Sequence, residues 1–523
     1  MSAAEPRASR RLDVALAAAL LLLVAVLYAP VRTFPFVVYD DKHLVSENPH
    51  VLQGLRLDEV AWLSTHAYSG NYVPLTWLSH MLDVELFGLD AGAHHVMNAA
   101  LHAAATLLLF TALRCLGGAP APSAFVAALF GVHPAHVESV AWISERRDTL
   151  SAVFFMWTLV AWARWLRAPG PGRMAQVMLC LGLGLLAKAM LMTLPVVLLL
   201  LDRWPLGRRE PWAALVREKL PLFALTGVAA VVAVIAQRES GAVASLALVP
   251  LADRVANALV AAASYVRMTI WPSGLAVFYP FEFAIPAWKV ASSALLLVGA
   301  TAAAWAVRRR QPWWLVGWLW YGVTLLPVVG LLQVGSQGMA DRYTYLPMVG
   351  LGIAVAFAAD DLARRAPRAR PVLAAAGLAL VAVWTLLARA QLETWRDSIS
   401  LFEHARAVSG EHPIIDLNLG EAWIERGRDD LARIHYERGL AVAPDAPQLQ
   451  MRLGLLLART GEPAPAARHL ARAAAGYEAA GRRSDAIEMA QQARAEALRA
   501  GKAELAEGLA RQLEAWGIIN NKN

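Results

Sequence analysis

Charged residues are scarce in this chain, and their scarcity excludes a soluble protein over most of its length. Of its 523 residues, 58% are hydrophobic and only 17% are charged, whereas soluble domains carry about 25% charged residues. The net charge of +7 comes mainly from arginine clusters between apolar runs, and no basic stretch is interleaved with exposed aromatics. We therefore predict a polytopic membrane protein that does not bind nucleic acid.

Cysteine is almost absent as well. Cys115 and Cys180 are the two cysteines, too few and too poorly placed for a disulfide framework or a metal site. The sequence also lacks an ATP-binding loop and a channel signature. No small-x-small cleavage site follows the first apolar run at 14–29, so we expect an uncleaved first span rather than a signal peptide.

Hydropathy predicts eleven spans, because a helix needs about 20 apolar residues to cross a bilayer. They are 12–30, 94–114, 123–141, 149–167, 173–187, 189–203, 219–236, 288–307, 313–332, 344–360 and 371–388. The arginine clusters fall on one side if the N-terminus is cytoplasmic and 252–271 is an interfacial helix. The polar segments 31–93, 133–148, 237–287 and 333–347, and all residues after 389, then face the outer compartment.

A repeat follows the predicted membrane domain of residues 1–390. In the second predicted domain, 391–523, Leu419-Gly420 recurs as Leu453-Gly454 and Ala432 as Ala466. Each offset is 34 residues, the tetratricopeptide period. We therefore predict an all-α protein in which a membrane helix bundle precedes a C-terminal tetratricopeptide α-solenoid. Such a stack binds a peptide or protein partner, or serves as a structural extension.

Two adjacent acids, Asp40 and Asp41, follow the first predicted span. Paired carboxylates at a membrane surface are costly to desolvate, and one of them can be held at a raised pKa as a general base. A solvated loop that begins with two acids would have the same sequence. The polar segments that accompany the pair on the outer face favour the general base.

The segment 133–148 is the second cluster of ionisable residues. His133, His136 and Glu138 have a spacing open to metal ligation, but Pro134 breaks a simple helical face, and hydrogen bonding to a polar ligand fits better. We therefore predict no metal site here; a divalent metal is not required by any motif. The run continues through two further candidate substrate-site residues, Glu145 and Arg146.

Two more outer segments carry candidate phosphate ligands. Lys188 stands alone between two apolar runs, where a lysine either pairs with a phosphate or extends to the interface. Arg342 lies in Asp341-Arg342-Tyr343-Thr344-Tyr345. An arginine flanked by tyrosines can bind a phosphate and stack on a lipid or sugar, or anchor an aromatic belt. Together, the four clusters indicate a site fed from the membrane.

These motifs, in this order, resemble those of the transmembrane and tetratricopeptide-repeat-containing O-mannosyltransferases, and this chain looks like a bacterial relative. The resemblance rests on Tyr39-Asp40-Asp41 with Glu47-Asn48-Pro49, on the run from His133 to Trp142, and on Asp341 to Pro347 ahead of the repeats. It covers nearly the whole chain. The family belongs to the GT-C glycosyltransferases, which transfer a sugar from a polyprenyl phosphate at the outer or lumenal face.

The resemblance implies an inverting hexosyltransferase in a bacterial inner membrane, with mannose as one candidate sugar and a protein or glycan hydroxyl as acceptor. It implies that Asp40 or Asp41 is the base. The lipid phosphate of the donor would then be bound by Lys188 and Arg342, the candidate phosphate ligands. The candidate substrate-site residues are His133, His136, Glu138, Glu145, Arg146, Asp341, Tyr343 and Tyr345. Two other functions remain open: a transporter of lipid-linked sugars, and a membrane-anchored scaffold that recruits partners through its repeats.

Overall fold

The computed structural model describes residues 4–239, 248–333 and 335–518. The parts of the predicted outer segments at 240–247 and 334 lie outside the described residues. The chain divides into two compact units, Met1–Asp397 and Ser398–Asn523. The division falls seven residues after the predicted boundary at 390, because the helix Arg370–Thr394 runs on without a break at that position.

The first unit is mainly helical, as the prediction of an all-α fold requires. Its helices are α1 Ala4–Tyr28, α2 Leu57–Thr65, α3 Pro74–Phe87, α4 Ala91–Cys115, α5 Pro120–Val132, α6 Val137–Ala141, α7 Arg146–Arg167, α8 Pro171–Ala187, α9 Leu194–Arg203, α10 Trp212–Glu239, α11 Leu251–Ile270, α12 Ala287–Val307, α13 Pro312–Leu325, α14 Pro347–Arg365 and α15 Arg370–Thr394. A short antiparallel pair, β1 Tyr279–Pro280 and β2 Gln337–Met339, joins two loops, with Tyr279 opposite Met339.

The apolar helices are those of a multi-pass membrane protein. Within the described residues, six helical stretches are long and apolar enough to cross a membrane: Arg10–Thr33, Ala91–Cys115, Ile143–Arg167, Trp212–Arg238, Ala287–Val307 and Pro367–Thr394. A seventh span results if α5 and the stretch Pro134–Ala141, bent by 53° from it, cross together. The count of eleven spans and the orientation stay predictions.

Prolines set several of the helix breaks that matter for the site. Pro134 follows α5 and cannot donate a backbone hydrogen bond, so the helix ends at Val132 and a 3₁₀ turn, Pro134–His136, redirects the chain into α6. Pro74 and Pro347 stand at the first positions of α3 and α14, where their fixed φ is suited to helix initiation. The polar segments of the sequence therefore lie in the breaks between helices.

The core of the first unit lies among α4, α7, α8, α9, α13 and α14, and includes the buried rings of Phe155 and Trp320. Helices α13 and α14 pack backbone to backbone: a Cβ on Gly317 would lie 2.3 Å from the carbonyl oxygen of Gly350. Small residues permit such close approach between membrane helices. Trp320 also donates its indole N–H to the carbonyl of Leu346, at 3.1 Å, and so links α13 to the start of α14.

The second unit is a succession of packed helices. They are α16 Ser398–Ser409, α17 Pro413–Glu425, α18 Asp429–Val442, α19 Pro447–Arg459, α20 Pro463–Ala479, α21 Arg483–Arg499 and α22 Ala503–Ala515. The 34-residue period is visible in the packing. A Cβ on Gly420 would lie 2.1 Å from the ring of Tyr436, and one on Gly454 would lie 2.8 Å from Leu470. Assignment to the tetratricopeptide solenoids stays a prediction.

Candidate active site

Four helix breaks of the first unit meet in one polar cluster. They are the segment that follows α1, the links from α5 through α6 to α7, the break between α8 and α9, and the 3₁₀ turn Asp341–Thr344 that precedes α14. Each break frees backbone and side-chain polar groups from the helical pattern. The charged residues that these breaks carry come from positions up to about 300 residues apart in the sequence.

Asp41 is a buried connector within this cluster. Its carboxylate is fully enclosed and accepts hydrogen bonds from the backbone N–H of Val37 at 3.1 Å, from the N–H of Ser144 at 2.9 Å and from the hydroxyl of Ser144 at 2.6 Å. Both oxygens are therefore occupied in holding the loop after α1 to the start of α7. Burial raises the pKa of Asp41 to about 7, although these hydrogen bonds oppose the shift.

This raised pKa predicts a pH-dependent stability. Because the pKa is about 7 in the folded chain and near 3.8 otherwise, the folded state binds the proton more tightly, and stability falls as the pH rises from about 4 to 7. The wild type should therefore lose stability relative to Asp41→Asn by roughly 3–5 kcal/mol over that interval. Unfolding in detergent between pH 4 and 8 measures this difference. Parallel profiles would contradict it, and Asp58→Asn, at an exposed acid, is the control.

Asp40 differs from its neighbour in accessibility and in hydrogen bonding. Its surface is exposed, and no hydrogen bond to its carboxylate occurs among the described residues. Its backbone φ is +63°, in the left-handed region that non-glycine residues seldom adopt. So many protein atoms surround it that desolvation raises its pKa, while the charges of Arg147 and Arg342 partly oppose this. Asp40 is thus the accessible carboxylate of the pair.

Glu145 is the centre of the charge cluster. Its buried carboxylate accepts two hydrogen bonds from Arg147, at 3.0 and 2.5 Å. It also lies 3.2 Å from Arg342 Nε and 3.5 Å from Lys188 Nζ. Lys188 Nζ makes a shorter contact of 2.5 Å with Asp148 Oδ1. Three cations therefore surround one carboxylate, an arrangement that fixes their head groups in place.

Glu138 and Arg342 form the opposite side of the cluster. They make a buried ion pair, and the backbone N–H of Arg342 donates to Glu138 Oε2 at 2.8 Å. The guanidinium of Arg342 lies 5.3 Å above the ring of Trp142 and 5.2 Å from that of Tyr343. Trp142 in turn stacks on Tyr39 with ring centroids 5.1 Å apart. An aromatic wall therefore borders the charges next to Asp40.

Several predicted site residues lie outside this cluster. His133 and His136 are buried and contact the backbone carbonyls of Thr269 and Phe130, respectively. Tyr345 hydrogen-bonds His102 at 2.6 Å in the helix core. These three side chains support the bend between α5 and α6 and its packing.

The remaining predicted residues have structural partners of their own. Arg146 is buried and paired with Asp83. Asp341 accepts a hydrogen bond from the hydroxyl of Tyr279 at 2.7 Å, and burial raises its pKa well above the ordinary range. Tyr343, beside Arg342, has its hydroxyl bonded to Gln337 at 2.9 Å. Tyr343 borders the charge cluster, and Asp341 is close enough to it for the charges of Glu138 and Arg342 to act on its carboxyl group.

Two members of the cluster were not among the predicted site residues, although both stand in the run that carries Glu145. They are Arg147 and Asp148. Successive residues on a helix point about 100° apart, so only one of the adjacent arginines at the start of α7 can face Glu145. The adjacent arginines Arg146 and Arg147 were the signal in the sequence. The sequence does not indicate which of the two faces Glu145.

The exposed members of the cluster determine what it can bind. Within the cluster, three cations and three buried carboxylates balance in formal charge, so the net charge depends on Asp40. The cations are Arg147, Lys188 and Arg342, and the carboxylates are Glu138, Glu145 and Asp148. The side chains of Arg147 and Lys188 are 20% and 16% exposed, whereas that of Glu145 is inaccessible. A phosphate that approached these two cations would therefore find ordered donors, with the exposed carboxylate of Asp40 near Arg147.

Sequence comparison supports the resemblance inferred from the motifs. Protein O-mannosyl-transferase tmtc2 of Xenopus laevis is 30% identical over 133 residues, which are 24% of this chain and 16% of that protein. Protein O-mannosyl-transferase Tmtc1 of Drosophila melanogaster is 31% identical over 134 residues, with the same two shares. The matched region thus covers about a sixth of these relatives' length. The resemblance to O-mannosyltransferases is confirmed; a bacterial origin stays a prediction.

Two further comparisons add little. No protein-family model matches the chain. The crystal structure of ArnT from Cupriavidus metallidurans bound to undecaprenyl phosphate has 17% sequence identity and a TM-score of 0.34, over 87% of this chain and 79% of that one. A TM-score this low does not establish a shared fold.

Proposed function

We propose that this chain is an integral-membrane glycosyltransferase that moves a sugar from a polyprenyl phosphate to a hydroxyl group, with a serine or threonine of a protein as the first acceptor to test. The observation that carries the proposal is the exposed carboxylate of Asp40 near the cations Arg147 and Arg342. Glu145 orders both of these cations together with Lys188. Transfer of a sugar from a lipid phosphate needs both parts, a base for the acceptor and positive charge for the leaving group.

Asp40 would act as the general base. As the acceptor oxygen forms its bond to the anomeric carbon, the hydroxyl proton passes to the Asp40 carboxylate. The bond from that carbon to the phosphate oxygen breaks on the opposite face, so the sugar configuration inverts. The raised pKa of Asp40 suits this role, because a base works best when its pKa is close to the working pH. Asp41, with both oxygens bonded, would position the loop.

Arg147, Lys188 and Arg342 would stabilise the lipid phosphate that leaves. Glu145 holds all three head groups, and donors fixed in advance spend little free energy on reorganisation during the reaction. Tyr39, which is partly exposed and is backed by the buried ring of Trp142, would provide a stacking surface for a sugar ring. The apolar surface between neighbouring membrane helices would hold the prenyl chain, and the reaction would take place at the outer face of the membrane, in bacteria the periplasmic face of the inner membrane.

The curated relatives support this choice over other activities of a membrane protein. Those that match are named protein O-mannosyl-transferases, which makes a mannosyl donor the first candidate. We further propose that Ser398–Asn523 is a tetratricopeptide stack in the outer compartment, and that it binds the acceptor or another protein. The repeat of close glycine contacts at Gly420 and Gly454 supports that assignment.

A donor panel tests the proposed function. Purified full-length chain in nanodiscs is incubated with radiolabelled polyprenyl-phosphate sugars and peptides rich in serine and threonine, and label in the peptide is counted. Transfer from at least one donor is expected. No transfer from any donor, together with movement of lipid-linked sugar across proteoliposomes, would favour the transporter instead.

Loss of a phosphate ligand should weaken transfer while the chain stays folded. Lys188→Gln and Arg147→Gln should each reduce kcat/KM for the donor by about 10- to 100-fold, because an ordered donor to the leaving phosphate is lost. Lys289→Gln removes an exposed lysine that pairs with Glu282 and should leave transfer unchanged. Equal kinetics in all three variants would show that the phosphate binds elsewhere.

A further inference from the structure

We infer that His80, Asp83 and His94 form a buried site for a divalent transition-metal ion, with zinc as the favoured metal. His80 and Asp83 lie three residues apart on one face of α3, and His94 lies in the first turn of α4. Their candidate ligand atoms all lie within 4.8 Å of one another. This inference is independent of the proposed transfer reaction, since it concerns side chains that the reaction does not use.

Unsatisfied polar atoms are the first argument for a ligand. All three residues are at most 1% exposed. His80 Nδ1, Asp83 Oδ1 and His94 Nδ1 are buried without a hydrogen-bond partner among the described residues. Leaving even one buried polar atom unpaired costs about 1–3 kcal/mol. Three such atoms, on residues whose candidate ligand atoms lie within 4.8 Å of one another, indicate that something else completes their coordination.

The protonation of His94 is the second argument. Its Nε2 lies 3.0 Å from the carbonyl oxygen of Gly88, and because a carbonyl only accepts, the ring proton resides on Nε2. Nδ1 then presents a lone pair, and it lies 3.4 Å from Asp83 Oδ2. Two acceptors that face each other in a buried place repel unless a cation lies between them. Metal-bound histidines typically donate their second N–H to a carbonyl in this way.

His80 lies beside His94. Its ring is nearly parallel to the His94 ring, with the centroids 6.5 Å apart. Its Nδ1 is one of the buried atoms without a hydrogen-bond partner among the described residues.

Arg146 holds two of the three proposed metal ligands, Asp83 and His94, in position. It pairs with Asp83, so that Oδ1 of the same carboxylate stays free, and it donates to the backbone carbonyl of His94 at 2.8 Å. Its Nε also donates to Asn98 at 2.6 Å. A fully buried arginine is otherwise difficult to explain by stability alone. Here it fixes the carboxylate and the helix that carry two of the three ligands.

The donor set selects the metal class. Two imidazoles and one carboxylate suit zinc, which leaves a fourth position for water or another ligand. A small cavity adjoins His80 and is also lined by Ser144 and Arg147. Ser144 is the partner of Asp41, and Arg147 is the partner of Glu145. A metal ion here would therefore stabilise the support of the candidate active site without contacting the reacting groups.

Metal analysis of the full-length chain tests this inference. The protein carries a tag without histidine and is purified without added metal, and its content is measured by inductively coupled plasma mass spectrometry. We expect about one zinc per chain, the stoichiometry of a single site. Asp83→Asn and His94→Ala should reduce it at least tenfold, whereas His66→Ala, at an exposed histidine of the same outer segment, should retain it.

A second readout does not depend on the folding of the variants. Wild-type protein is stripped with a chelator and titrated with Co²⁺, whose visible absorption is intense when three or four protein ligands bind tetrahedrally. A saturable spectrum, a lower Tm after stripping and its recovery with Zn²⁺ are expected. Wild-type protein without bound metal and without any Tm or spectral response to Zn²⁺ or Co²⁺ would overturn the site. Metal that persists in folded Asp83→Asn and His94→Ala would also overturn it.

Discussion

Replacement of Asp40 by asparagine is expected to lower sugar transfer by about 10²- to 10⁴-fold, the usual contribution of a general base. Asn keeps the size of the side chain but does not accept a proton at neutral pH. It also tolerates the left-handed conformation that Asp40 adopts at φ +63°, so the loop should keep its shape. The measurement is the initial rate of transfer by the full-length variant, with Tm recorded on the same preparation.

Two outcomes distinguish the acids from each other. Asp40→Asn with unchanged Tm and lost transfer would assign the base. Asp40→Asn with full transfer would move the base to another carboxylate. Asp41→Asn is expected to change the pH dependence of stability first, because its carboxylate bonds Val37 and Ser144. Asp58→Asn, at an exposed acid of the same predicted outer segment, should behave as wild type.

The decrease of the transfer rate at low pH should depend on the protonation of Asp40. The pKa of Asp40 is raised by desolvation, and only the deprotonated carboxylate accepts the proton. The rate should therefore fall as the pH decreases through a value above the ordinary aspartate pKa of 3.8. A rate that stays constant down to pH 4 would contradict Asp40 as the base.

Removal of the Arg342 charge is expected to cost the largest stability of any single change at the site. Arg342→Gln leaves the buried carboxylates of Glu138 and Glu145 without one of their cations. Breaking a buried ion pair from one side typically costs about 3–5 kcal/mol, because the remaining charge stays desolvated. A large decrease in Tm should accompany loss of transfer.

A double variant separates the two effects. Adding Glu138→Gln to Arg342→Gln removes the uncompensated charge, so part of the lost Tm should return while transfer stays low. Arg364→Gln breaks an exposed helical pair with Asp360 and should change stability by less than about 1 kcal/mol. A stable Arg342→Gln single variant would show that the Glu138–Arg342 pair is not buried in the folded protein.

The membrane character and the helical class could be predicted because both depend on composition and local period. Hydropathy marked the apolar helices, and the 34-residue spacing of Gly420 and Gly454 marked the repeat. The short helices were less predictable. The predicted span 189–203 begins as a 3₁₀ turn and continues as α9, only ten residues long. Hydropathy averages over such breaks, since it is insensitive to backbone geometry.

The candidate site was predictable only in part, and particular residues show why. Glu138, Glu145 and Arg342 were identified from clusters of ionisable residues in the predicted outer segments. Lys188 was identified because it stands alone between two apolar runs, where an unpaired charge is costly. Arg146 and Arg147 have the same chemistry and adjacent positions, yet one pairs with Asp83 and the other with Glu145. His133 and His136 contact backbone carbonyls, and their role as substrate ligands stays a prediction.

The sequence by itself determined the class of the protein: apolar runs long enough to span a bilayer, a helical repeat, and an order of motifs that resembles a family of membrane transferases. These properties are local, because hydropathy, helical period and motif spacing are read along the chain. Tertiary structure alone decided which carboxylate of the pair Asp40 and Asp41 is exposed, and that His80, Asp83 and His94 converge. Those facts depend on distances between segments far apart in sequence, and packing sets such distances.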